Sequence, residues 1–182
     1  MNRFVSVIAA LATLAVGCGS TSSPTEPSGG STTTTTFTVP LSAANEVPAI
    51  ANADANASGT ATIGLVVTKD ASGAVTSATA NFQITVTGFP AGTTVTDAHI
   101  HNAPAGSNGG VVINATLGSG ELALVNGAGS ITKNGINVPA DRAAAILSNP
   151  SAHYFNVHTA LNPDGAIRGQ LSTGTVTGGV GY

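Results

Sequence analysis

Charge is the first thing this 182-residue chain lacks: only 7% of its residues are Asp, Glu, Lys or Arg, against roughly 25% in an average soluble domain. Five Lys and Arg face eight Asp and Glu. That balance leaves no basic footprint, so nucleic acid is excluded as a partner. Aromatics make up 4% and Trp is absent. The Glu, Lys, Leu and Arg that build coiled coils and long amphipathic helices are scarce as well. A single cysteine excludes an internal disulfide and a thiolate zinc cluster. The one long apolar run, Phe4 to Val16, is too short to span a bilayer. What remains is rich in Gly, Ala, Thr, Ser and Val, a composition suited to an all-β domain outside the cytoplasm.

The apolar run reads as an address. Arg3 precedes it, and it ends in Leu14-Ala15-Val16-Gly17-Cys18. This is the layout of a secretory signal, and a small residue before Cys resembles a bacterial lipobox. Residues 1–17 are therefore expected to be a lipoprotein signal peptide, with Cys18 lipidated as the new N-terminus. Residues 18–36 hold Ser, Thr, Gly and Pro and no core-building hydrophobe, so a solvated tether is expected there. The end, 172–182, is similarly weak and reads as a flexible tail. The folded domain is expected over 37–171. The chain would be exported and lipid-anchored at the cell envelope, at the outer membrane or the cell surface.

Within 37–171 apolar and polar residues alternate. Ala78, Ala80, Phe82, Ile84 and Val86 share one face, and Thr79, Asn81, Gln83, Thr85 and Thr87 the other. This is the period of a half-buried antiparallel strand. Asp70-Ala71-Ser72-Gly73 reads as a hairpin turn between that run and 60–68. Further strands are expected at 37–42, 95–101, 111–116, 120–125, 129–133, 152–159 and 166–171. One short helix is expected near 139–148, opened by Pro139 and closed before Asn149-Pro150. The expected fold is an all-β, Greek-key antiparallel sandwich or barrel of about eight to nine strands.

Strand parity also places the polar residues. In Asp97-Ala98-His99-Ile100-His101-Asn102 the two histidines share a face opposite Ala98 and Ile100. In Ser151–Thr159, Phe155 and Val157 read as core, so Tyr154, Asn156 and His158 point outward while His153 points inward. In Ala166–Leu171, Arg168 and Gln170 point outward. A hairpin turning at Pro163-Asp164-Gly165 and pairing Ala160 with Ala166 sets His158 opposite Arg168, Asn156 opposite Gln170 and Phe155 opposite Leu171. A one-residue slip would bury Arg168. An outward patch holding His158 and Arg168 follows, joined by His99 and His101 if their strand lies in the same sheet.

These segments resemble the chordin-type CHRD domain family. The resemblance is carried by Leu41-Ser42-Ala43-Ala44-Asn45-Glu46-Val47-Pro48, by Ala98-His99-Ile100-His101 and by Asn108-Gly109-Gly110-Val111-Val112. It ends on Tyr154-Phe155-Asn156-Val157-His158-Thr159 and Asn162-Pro163-Asp164-Gly165-Ala166-Ile167-Arg168-Gly169-Gln170-Leu171. The resemblance implies an extracytoplasmic all-β domain, with the family's polar motif positions on Glu46, His99, His101, His158 and Arg168. In animal chordin such domains accompany modules that bind growth factors, a role that does not transfer to a bacterial cell.

Two functional readings follow. In the first, the domain is not an enzyme and holds no cofactor. It serves a binding or structural role at the envelope toward a protein or surface polymer, and Glu46, His99, His101, Asn156, His158 and Arg168 form a polar network in which Glu46 accepts from Arg168. In the second, His99, His101 and His158 bind copper or zinc, both suited to imidazole. The His-x-His strand is distantly similar to that of copper–zinc superoxide dismutase, but no bridging histidine, zinc-ligand cluster or internal disulfide accompanies it, and His153 has the wrong parity to join. A hydrolase would need more than Asp97 near His99, and no Gly-x-Ser-x-Gly elbow is present.

Overall fold

Thr, Val and Ile at alternate positions favour extended backbone, and the protein uses them to build nine strands. A computed structural model describes residues 30–179. The expected signal peptide 1–17, Cys18 and the tether up to residue 29 lie outside the described residues, as do 180–182. The strands are β1 (Ser31–Ser42), β2 (Ser58–Lys69), β3 (Val75–Thr87), β4 (Val95–Asn102), β5 (Gly110–Asn114), β6 (Gly129–Val138), β7 (His153–Thr159), β8 (Ile167–Gln170) and β9 (Thr175–Gly179). One helix, α1 (Ala140–Ser148), follows Pro139 and turns Ala143 and Ile146 into the core.

All pairings are antiparallel, in the order β5-β4-β7-β8-β1-β2-β3-β6, with β9 added to β1. The β3–β4, β5–β6 and β6–β7 connections cross between distant parts of this order, and the sheet curls into a nearly closed barrel. Its two halves meet where Phe82 of β3 stacks on Phe155 of β7, ring centroids 5.8 Å apart. The expected all-β fold with one helix is therefore the observed one. The core is the predicted apolar face: Ala61, Ile63, Leu65 and Val67 of β2 and Ala80, Phe82, Ile84 and Val86 of β3 are buried.

Four expectations are corrected. Strand β1 begins at Ser31, inside the expected tether, because Thr33 and Thr35 sit opposite Val67 and Leu65 and borrow their apolar face. The expected tail contains β9, whose Thr175, Val176 and Thr177 pair with Thr36, Thr35 and Thr34. Residues 120–125 are not a strand. Glu121 folds back so that its carboxylate accepts from Gly118 N at 2.9 Å, and Leu122 alone is driven into the core.

The fourth correction concerns the β7–β8 register. It is shifted by two residues, with Asn156 opposite Arg168, Tyr154 opposite Gln170 and Phe155 opposite Gly169. A two-residue shift keeps every side chain on its face, so the apolar pattern cannot oppose it. The buried Asp54 decides the matter. Its Oδ2 accepts from Thr159 Oγ1 at 2.8 Å and Asn162 Nδ2 at 2.6 Å, which ties Thr159, still paired with Val95 of β4, to the loop and away from β8. Gly169 completes the register, since a Cβ there would collide with the Pro40 carbonyl of β1.

Candidate functional site

Strand pairing brings the predicted polar residues onto one face of β4, β7 and β8. Asp97, His99 and His101 of β4 lie opposite His158, Asn156 and Tyr154 of β7, and Asn156 lies opposite Arg168 of β8. Glu46 arrives from the end of β1. Ser42 Oγ accepts from Ala44 N at 3.2 Å and caps the 3-10 turn Ala43–Asn45, while Asn45 Nδ2 donates to Arg168 O at 3.1 Å. The turn sets Glu46 Oε2 3.1 Å from Arg168 Nε.

The face was expected to point outward, yet it is buried. Glu46, His101, Tyr154, Asn156, His158 and Arg168 are all below a tenth exposed, and only His99 is half-buried. The covering layer is backbone. The β4–β5 loop lies over Arg168, which donates from Nη1 to Ser107 O at 3.0 Å and from Nη2 to Asn108 Oδ1 at 2.8 Å. Asn108 Nδ2 in turn donates to Val47 O at 2.7 Å. Gln170 Nε2 ties the same loop through Ala103 O at 2.9 Å. Tyr154 packs between charge and imidazole. His101 stacks on it at 4.8 Å and 6° between planes, and the Arg168 guanidinium carbon lies 4.5 Å from its ring centroid.

The three histidines converge. Their ligand-capable nitrogens all lie within 4.8 Å of one another. His153 stays apart on the core face, with Nδ1 3.0 Å from Asn149 O, as its parity requires. The outer nitrogens are spoken for. His101 Nδ1 is 2.9 Å from Gly109 O and His158 Nδ1 is 2.9 Å from Pro163 O. A carbonyl can only accept, so both Nδ1 atoms carry the proton. Burial pushes both imidazoles below their usual range and keeps them neutral, which leaves both Nε2 atoms bare. His99 Nε2 is 3.0 Å from Asp97 Oδ2. A carboxylate can only accept, so His99 Nε2 carries a proton there. Asn114 Nδ2, 3.1 Å from His99 Nε2, also reaches Asp97 Oδ2 at 3.5 Å and donates there. His99 Nδ1 and His158 Nε2 lie 3.0 Å apart, within hydrogen-bond distance, and His101 Nε2 is buried with no hydrogen-bond partner among the described residues.

Glu46 has a different electrostatic role. Burial raises its pKa to about 7, against the opposing pull of Arg168 and Asn156. The folded protein then holds this proton more tightly than the unfolded chain does. Its contribution is complete below the ordinary carboxylate pKa and is lost as pH rises through about 7. Glu46→Gln removes that dependence. Between about pH 5 and 8 the wild type is expected to lose about 3 kcal/mol of stability relative to the variant. Urea denaturation of both proteins across that range checks it, and parallel pH profiles would refute it.

Sequence reasoning passed over several members of this site. Asp97 has a sequence signal only as a hydrolase partner, Asn114 enters through the β4–β5 pairing that sets it opposite His99, and Gly109 and Pro163 enter through loops. Tyr154, read simply as one face of a strand, turns out to be a stacking platform.

A nearly closed antiparallel β-barrel with a buried Glu–Arg–His cluster under its loops defines the class of this protein. The CHRD domain family matches residues 37–171, and the chain belongs to that family. Neither a curated protein nor a solved structure matches it.

Proposed function

We propose that the chain is an exported lipoprotein, anchored at the cell envelope through Cys18, whose CHRD domain binds a divalent transition metal, copper or zinc, on His99, His101 and His158. The observation that carries the metal reading is the convergence of three imidazoles, with ligand-capable nitrogens within 4.8 Å of one another, whose other ring nitrogens each face an acceptor, Asp97, Gly109 or Pro163. Metal-binding histidines are held in this way, with the second ring nitrogen donating to a carboxylate or carbonyl. An ion between His99 Nδ1 and His158 Nε2, 3.0 Å apart, would take the place of a shared proton. Nitrogens at about 2.0–2.1 Å from one tetrahedral ion lie about 3.4 Å apart, so the widest pair of a cluster spanning 4.8 Å has to close by about 1.4 Å. Imidazole-only donors suit copper and zinc. Glu46 and Arg168 are architecture in this reading, and no catalysis is assigned.

Metal content is the test. The chain, purified without a polyhistidine tag and supplied with excess copper and zinc, should carry close to one ion per molecule. A His99→Ala/His101→Ala variant that keeps its circular dichroism should carry none. A folded wild type that takes up neither metal would overturn the reading. The anchor rests on the lipobox-like Leu14–Cys18. Cys18→Ser should move the chain from the membrane fraction to the soluble one, and no change in partitioning would remove the anchor.

A further inference from the structure

We propose that this metal site keeps one exchangeable coordination position, and that Asn156 is the positioning residue that holds the small ligand there, a water, through its Oδ1. The inference rests on the three-histidine reading. Asn156 occupies the centre of the face. It lies opposite His99 on one side and Arg168 on the other, with Tyr154 and His158 flanking it along β7. It is 1% exposed, and its Oδ1 has no hydrogen-bond partner among the described residues.

The orientation of the amide is set by its surroundings. A Cβ on Gly165 would lie 2.6 Å from Asn156 Nδ2 and 2.8 Å from Glu46 Oε1, so the NH2 group and the carboxylate crowd the same spot. A donor belongs beside a carboxylate, which leaves the oxygen to face the histidines. A buried acceptor without a donor costs about 1–3 kcal/mol. A metal ion satisfies His101 Nε2 directly, but an amide oxygen in that position needs a proton donor. Metal-bound water is one, and the cation strengthens it. Among the described residues no carboxylate joins the cluster as a fourth ligand. Asp97 lies on the far nitrogen of His99, and Glu46 lies against Arg168. Three ligands with an open fourth position are the arrangement of exchangeable sites. Access runs along His99, whose side chain is 13% exposed beside Asp97 at 34%.

The test uses copper(II) as the metal and azide as the probe, read by electron paramagnetic resonance and visible absorption. Copper stoichiometry is measured first, so a failure of the three-histidine reading appears as copper that does not bind. In copper-loaded wild type, azide should displace the water and shift both spectra. Asn156→Ala removes the hydrogen bond to the water and should bind azide about tenfold more tightly. Asn156→Asp keeps the acceptor, adds charge, and should bind azide more weakly than wild type. If the alanine variant does not fold, Asn156→Ser takes its place. Bound copper with spectra that azide leaves unchanged, or an azide affinity indifferent to all these variants, would overturn the proposal.

Discussion

Arg168→Ala is expected to cost about 3–5 kcal/mol of stability, the range for breaking a buried ion pair by removing one partner. The side chain is 3% exposed and does four things at once. It donates to Ser107 O and Asn108 Oδ1, it neutralises Glu46 at 3.1 Å, and it lies over the Tyr154 ring. Alanine leaves the buried Glu46 carboxylate without its charge partner and frees two acceptors on the exposed loop residues Ser107 and Asn108. The Nε contact to Glu46 lacks hydrogen-bond geometry, so the attraction there is largely Coulombic and the two loop acceptors carry the directional bonds. The β4–β5 loop should loosen with the loss. Urea denaturation measures the cost, and amide hydrogen exchange at Ser107 to Gly110 locates it. A loss under about 1 kcal/mol would mean that the pair behaves like a surface salt bridge. Replacing both partners, Arg168→Met with Glu46→Gln, should cost less than Arg168→Ala alone, because no charge is then left unpaired.

Phe155→Ala should be comparably damaging, at about 3–5 kcal/mol. Phe155 is fully buried in β7 and stacks on Phe82 across the barrel at 26° between ring planes. In a chain with 4% aromatics few other side chains can fill the space between the two halves of the sheet. The residue also sits between Tyr154 and Asn156, whose side chains point the other way into the polar face. A cavity under β7 is therefore expected to lower metal affinity as well as stability, although Phe155 touches no candidate ligand. Phe155→Leu, which keeps most of the volume, should cost clearly less than alanine. Equal losses for the two variants would show that the site collapses without a cavity and would refute the packing argument.

The candidate site was half legible. Parity along Asp97–Asn102 and His153–Thr159 places His99, His101, Asn156 and His158 on one face and His153 on the other, because a strand has a period of two whatever its neighbours do. The order of the polar motif, from Glu46 to Arg168, is also plain in the chain. Which acceptor each histidine meets was not legible, since Gly109 O and Pro163 O are brought in by loops and Asp97 Oδ2 by its side-chain rotamer on β4.

By itself the sequence determined the all-β class, most of the strands, the single helix after Pro139, the apolar faces and the family, all of which follow from local alternation and turn chemistry. Tertiary structure alone decided four things. It made strands of Ser31–Thr36 and Thr175–Gly179, whose Thr and Gly carry no apolar signal and are stabilised by the strands they join. It turned 120–125 into a fold-back around Glu121. It set β7 against β8 two residues from the simplest register, because Asp54, more than a hundred residues upstream, ties Thr159 to the loop residue Asn162 and away from β8. And it buried an outward-facing patch under the loops at Ser107–Gly109 and Pro163–Gly165. Periodicity records which way a side chain points from its own strand. Whether water or another loop lies beyond it is settled only when distant parts of the chain meet.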